Sequence, residues 1–235
     1  TAWDCEAVDN TGTDTGQWTS LAFDASGNPW VAFYDVTNTA LRVTTRGGGF
    51  GAACTDTDWT CDWVDDTGVM GTYAAIAFAP NGAAWVSYLD DNATADSKAL
   101  RVANYVGASG SNCTSPAWTC TTVDSTGTDT IGEWSSLAFD TSGNAWVSYY
   151  DGGTETALRV ARITRGGDIK VSRGLAGVNG DAIAESHADM TSTTDTTNRD
   201  DADCIRHIKR LLGFLPANNA DEPPRRVCSD PVEGR

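Results

Sequence analysis

Aspartate and arginine recur at fixed places along this chain. Asp35, Asp90 and Asp151 each close a W-V-x-x-x-D run, and Arg42, Arg101 and Arg159 each follow within A-L-R-V. A carboxylate beside a guanidinium, repeated about an axis, can clamp an anion or handle protons. The plainer reading, which we favour, is an ion pair or turn cap that recurs because the unit recurs. Loops starting at Asp9, Asp65 and Asp124 crowd oxygen donors among glycines, which makes Asp9, Asp14, Asp65, Asp66, Asp124 and Asp129 candidates for Ca²⁺. None has EF-hand spacing, and turns capped by Asp and Thr account for the loops more simply. Nine tryptophans offer stacking platforms for sugars. Trp30, Trp85 and Trp146 read as packing residues, and Trp18 and Trp134 as the surface candidates. Cys204 and His207 form a C-x-x-H pair that His187 and Cys228 would complete as a zinc site, although disulfides suit these cysteines better. No C-x-x-C-H occurs, so covalent haem is excluded.

These residues sit in a repeat. WTSLAFDASGNPWVAFYD from Trp18 returns as YAAIAFAPNGAAWVSYLD from Tyr73 and as WSSLAFDTSGNAWVSYYD from Trp134. Each copy is followed by A-L-R-V and preceded by W-x-C-x-x-V-D-x-T-G, beginning at Trp3, Trp59 and Trp118. A fixed period of this length means stacked supersecondary units. The short aromatic and β-branched runs, separated by S-G-N, N-G and D-G-G, predict strands joined by tight turns. In WVAFY both faces are apolar, as in a sheet covered on both sides. Gly27, Gly82 and Gly143 fall at the turn between the first two strands.

The pattern resembles propeller repeats of bacterial and archaeal surface proteins, and more distantly the Asp-box blades of sialidases. D-x-S-G-N-x-W at Asp24–Trp30 and Asp140–Trp146 carries the second likeness, and Ala79 replaces the aspartate in the middle copy. The resemblance covers residues 1 to 165. It implies an all-β fold of three propeller-type four-stranded blades, with W-x-C-x-x-V-D as the outer strand, and no particular activity. The three arginines are reminiscent of a sialidase anion clamp. That chemistry also needs a tyrosine nucleophile with a glutamate partner and a separate acid, and no residues here are singled out for it.

Three blades are too few for a ring. The third copy has no W-x-C-x-x-V-D segment after Val160, whereas Trp3–Asp9 has no copy before it. The expectation is that this amino-terminal strand completes the third blade, in its own chain or in a neighbour. Cys54 with Cys61 and Cys113 with Cys120 share one spacing and predict two hairpin disulfides. Cys5, Cys204 and Cys228 remain, and with seven cysteines one has no partner within the chain.

Beyond Arg165 the repeat grammar stops. Residues 166–235 read as a carboxy-terminal extension with a Thr/Asp/Asn-rich linker and one short helix at about 200–212, whose apolar stripe includes Ile205, Ile208 and Leu212. The chain has 32 acidic and 16 basic residues, a formal charge of −16, which disfavours nucleic acid as partner. It starts at Thr1 and has no apolar run long enough to cross a membrane, so it reads as a processed product without membrane insertion. The cysteines point to an oxidising, extracellular setting. Asn92 and Asn112 match the N-glycosylation acceptor pattern. The functional expectation is a secreted structural protein, not an enzyme, that pairs with itself as a fibre or closed homo-oligomer. Trp3, Cys5, Val8, Ile205, Ile208 and Leu212 are its assembly residues. A glycan-binding propeller is the alternative and a glycoside hydrolase the third possibility. No cofactor is expected beyond the Ca²⁺ candidates.

Overall fold

The computed structural model describes residues 5–10, 14–46, 48–92, 98–125, 130–153 and 156–172. Among these the fold is all-β, in three antiparallel sheets that follow the three sequence copies. No helix among the described residues is long and apolar enough to cross a membrane.

The first sheet holds β1 (Thr15–Phe23), β2 (Pro29–Asp35), β3 (Ala40–Arg46), the short β4 (Ala52–Ala53) and β5 (Trp59–Asp65), in the order β1-β2-β3-β5-β4. The second is a meander of β6 (Met70–Phe78), β7 (Ala84–Asp90), β8 (Ala99–Tyr105) and β9 (Trp118–Asp124). The third contains β10 (Ile131–Phe139), β11 (Ala145–Asp151), β12 (Ala157–Ile163) and β13 (Ile169–Ser172). As the aromatic and β-branched runs predict, W-V-x-x-x-D is the second strand of each sheet and A-L-R-V opens the third. β1 lies beside β6, and β6 beside β10.

The hairpins turn where the D-x-S-G-N segments stand. The Asp24 carboxylate accepts from the backbone N–H groups of Ser26 and Asn28, both at 2.8 Å, and from the Asn28 side chain at 2.9 Å. Asp140 does the same for Ser142 and Asn144 and also accepts from the Trp146 indole N–H at 2.9 Å. Burial alone would raise the Asp140 pKa, but these bonds outweigh it and bring it down to about 2. In the middle copy, with Ala79 at this place, the turn keeps its backbone bonds (Ala79 N to Ala83 O, 2.9 Å) and Asn81 Oδ1 accepts from Ala83 N–H.

Two disulfides form, Cys54–Cys61 and Cys113–Cys120, each tying an outer strand to the loop before it. Such bonds persist in oxidising compartments.

The expected strand exchange is corrected by β13. The fourth place in the third sheet is filled by Ile169–Ser172, which pairs with Val160–Ile163 after the turn Thr164–Asp168. A hairpin closed over a few residues has a far smaller loop entropy cost than a pairing with Trp3–Asp9. Ile169 and Val171 pack against the buried cluster shared by the second and third sheets and supply the apolar alternation that a strand needs. Of Trp3–Asp9, Trp3 lies outside the described residues, and Cys5–Asp9 is not strand.

Residues 5–10 lie against the first unit. Asp56 N–H donates to Val8 O (3.1 Å), Asn10 N–H to Thr55 Oγ1 (3.0 Å), and the Trp59 indole to Glu6 Oε1 (2.9 Å). One unit further on, Thr114 N–H donates to Val64 O (3.1 Å), Asp66 N–H to Thr114 Oγ1 (3.0 Å), and the Trp118 indole to Asp62 Oδ2 (3.0 Å). Residues 5–10 thus meet the first unit as the end of β5 meets the second.

Two cores result. One joins Leu41 and Val43 of the first sheet to Met70 and Ile76 of the second, and the other joins Leu100 and Val102 of the second to Ile131 and Leu137 of the third.

Candidate functional site

The repeated arginines and aspartates meet as buried triads between successive units. Arg101 Nη1 lies 2.9 Å from Asp65 Oδ2, at the end of β5, and 3.7 Å from Asp90 Oδ2, at the end of β7. Arg159 repeats this with Asp124 (2.8 Å) and Asp151 (2.5 Å). Arg42 does so with Asp9 and, at 3.5 Å, Asp35. The phenols of Tyr88 and Tyr149 donate to Asp65 and Asp124 at 2.7 and 2.6 Å. Phe33 holds that position in the first unit, under the Arg42 guanidinium. Burial, then the neighbouring carboxylate, pushes both phenols well above their ordinary range, so they stay neutral donors. Burial opposes the Arg159 charge, but Asp124 and Asp151 more than offset it. Burial likewise raises Asp90 against the pull of Arg101. Each triad ties the end of one W-x-C-x-x-V-D segment to the third strand of the next sheet.

The Ca²⁺ candidates are placed accordingly. Asp9, Asp65 and Asp124 face arginines, Asp66 accepts from the Thr114 hydroxyl, and Asp14 accepts from the Gln17 amide at 3.1 Å. Asp129 lies outside the described residues. No group of three or more metal-ligating side chains occurs among the described residues. Cys5 is exposed with a free thiol, and Val8 packs on the Cys54–Cys61 bridge and Trp59. Cys204, Cys228, Ile205, Ile208, Leu212 and the helix expected at about 200–212 lie outside the described residues.

A second cluster is built by the first strands. In Gly16-Gln17-Trp18, Gly71-Thr72-Tyr73 and Gly132-Glu133-Trp134 the pairing register slips, and the aromatic residue takes a left-handed backbone, with φ of 54°, 55° and 54°. Non-glycine residues avoid this region because Cβ crowds the carbonyl, so its return in every copy marks a selected geometry. The bulges turn the three rings toward one another. Centroids lie 4.1 Å apart for Trp18–Tyr73, 4.7 Å for Tyr73–Trp134 and 5.6 Å for Trp18–Trp134. Next to Trp134, the Ser135 hydroxyl donates to Tyr73 O and is bonded to Ser87 Oγ, both at 2.8 Å. Around the rings lies an open hollow of about 230 Å³, lined by Trp18, Thr19, Tyr73, Ala74, Trp134 and Ser135. Trp134 is 64% exposed and Trp18 is partly so. Trp18, in β1, and Trp134, in β10, are thus the surface pair expected from sequence. Tyr73 was not singled out, although G-x-[W/Y] ahead of each A-F pair marks it as their equivalent. Of the tryptophans read as packing, Trp30 is buried and Trp146 is partly exposed.

No family model and no curated protein matches this chain. Among solved structures, a protein of unknown function from Dyadobacter fermentans aligns with a TM-score of 0.43 and 13% identity, over 63% of this chain and 47% of that one. An α-L-arabinofuranosidase from Fusarium graminearum, in complex with an iminosugar inhibitor, aligns with a TM-score of 0.41 and 11% identity, over 67% of this chain and 45% of its own. The aligned region spans less than half of each of these two proteins.

Proposed function

We propose that this chain is an extracellular structural protein whose three sheets are successive propeller-type blades and which associates head to tail with copies of itself. One comparison carries the reading. A Cβ on Gly71 would stand 2.7 Å from Leu41 Cα, and one on Gly132 would stand 2.9 Å from Leu100 Cα, so each glycine admits the leucine of the preceding sheet. Leu41 and Leu100 are fully buried there. The third leucine of the series, Leu158, is 70% exposed, and the third glycine, Gly16, has nothing within 4 Å of such a Cβ. Leu21 is 57% exposed, whereas its equivalents Ile76 and Leu137 are buried.

Among the described residues the third sheet thus carries an unmated leucine and the first an unmated glycine, the pair that meets twice within the chain. A contact of this kind is heterologous: it closes into a ring or continues as a fibre according to the rotation per step. Apolar surface left at both ends supplies the drive, because covering it releases water. The inward pairing of the repeated aspartates and arginines supports a structural role for them and a non-enzymatic role for the chain.

Sedimentation velocity tests the reading. Wild type is expected to form dimers or larger species at about 10 μM, an ordinary affinity range for such contacts. Leu158→Asp and Leu21→Asp should each sediment as monomers with unchanged circular dichroism. Equimolar mixing of the two variants should restore dimers but nothing larger, since each retains one intact end. Monomeric wild type at about 100 μM would overturn the proposal.

A further inference from the structure

We infer that the aromatic cluster of Trp18, Tyr73 and Trp134 is a binding platform for a neutral pyranose sugar, with the exposed face of Trp134 as the stacking surface. The inference is independent of self-association, because the cluster stands where β1, β6 and β10 converge and not on the outer faces of the end sheets.

The first argument is backbone conformation. A left-handed φ at an aromatic residue costs on the order of 1–3 kcal/mol, and glycine would take the same bulge freely. Each bulge has an aromatic residue there instead, with its glycine two residues earlier. A requirement for the turn alone does not explain the rings.

The geometry then selects the ligand. An aromatic cage for a quaternary ammonium needs rings spaced around a central void, with the cation within about 6 Å of every centroid. Here the rings touch one another, at 4.1 to 5.6 Å, and leave no such void. What remains is the exposed Trp134 indole, which with Thr19 lines a hollow of about 230 Å³. That is smaller than the roughly 300 Å³ at which pockets for drug-sized ligands begin, and suits a single ring. The axial C–H groups of a pyranose form an apolar patch with slightly positive hydrogens, complementary to the negative face of indole. Nucleobases also stack on indole, but a chain of formal charge −16 repels nucleic acid and acidic sugars alike.

Saturation-transfer NMR and tryptophan fluorescence on the full chain, with methyl glucoside, galactoside, mannoside and xyloside, provide the test. Glucuronate and tetramethylammonium serve as comparison ligands. At least one neutral glycoside should saturate in the millimolar range, with transfer strongest to its C–H protons. Trp134→Ala and Trp134→Gly should weaken that binding by about tenfold or more, and Trp134→Phe by no more than about threefold. Trp134→Gly should keep a Tm within about 4 °C of wild type, because glycine relieves the strained φ. Leu158→Asp should bind sugar as wild type does, which keeps a failure of this site distinct from a failure of assembly. Any of four results would overturn the inference: no response to any neutral glycoside at about 50 mM, a response to tetramethylammonium alone, tighter binding of glucuronate, or undiminished binding in Trp134→Ala.

Discussion

Between the first and second sheets Leu41 is buried against Gly71, whereas on the far side of the third sheet Leu158, its repeat equivalent, faces solvent. The two leucines share the same local sequence, A-L-R-V, and the same place in the same kind of strand. Among the described residues they differ in whether another sheet follows. Burial in a repeat protein is a property of the neighbour, and an identical side chain is core in one unit and an exposed end in another.

Changes at equivalent positions should therefore have unequal effects. The largest is expected at the buried triads. Arg159→Met leaves Asp124 and Asp151 buried without their cation and should cost about 3–5 kcal/mol in urea unfolding, whereas Arg46→Met, at an exposed pair, should cost less than about 1 kcal/mol. Comparable losses for the two would contradict the assignment of the triads as internal ties.

Next come the leucines. Leu41→Ala should destabilise by about 2–5 kcal/mol, whereas Leu158→Ala, measured under dilute conditions where the chain is monomeric, should stay within about 0.5 kcal/mol. At concentrations where copies associate, the Leu158 effect should grow, and the dependence on protein concentration is the diagnostic.

A gain is expected at the first triad. Tyr88 and Tyr149 bond the aspartate of the preceding segment, and Phe33 has no hydroxyl for Asp9. Phe33→Tyr should stabilise by about 1 kcal/mol. A loss of stability would mean that the first triad packs differently from the other two.

The smallest effect is in the turns. Asp24 and Asp140 have folded pKa values below their ordinary 3.8, Asp140 at about 2. A depressed carboxyl pKa contributes stability above pH 3.8 that is lost as pH falls through the folded value. The indole N–H resonance of Trp146 should shift between about pH 4 and pH 2 in NMR titration, that of Trp30 should shift below the ordinary carboxylate range, and that of Trp85, whose turn has Ala79, should not shift.

Much of this architecture was legible in the residues. Aromatic and β-branched runs bounded by turn residues predicted the second and third strands, and the recurring seven-residue spacing of Cys54 with Cys61 and Cys113 with Cys120 predicted both disulfides. The last strand of the third sheet was not legible because I-K-V-S lacks the residues of W-x-C-x-x-V-D, and four residues of alternation are too few to distinguish from chance. Tyr73 was not legible as a member of the aromatic cluster because the three rings are 55 and 61 residues apart in the chain and meet only through the stacking of β1, β6 and β10.

Local sequence determined the strands, the turns and the disulfide hairpins of this protein, because periodicity, turn chemistry and short loop closures act within a few residues. Only the tertiary structure decided that Asp65 would meet Arg101 and Asp124 would meet Arg159, that three aromatic residues far apart in the chain would touch, and which leucine would be left in water. Those outcomes depend on how one sheet lies on the next, and stacking is set by surfaces that no single repeat contains.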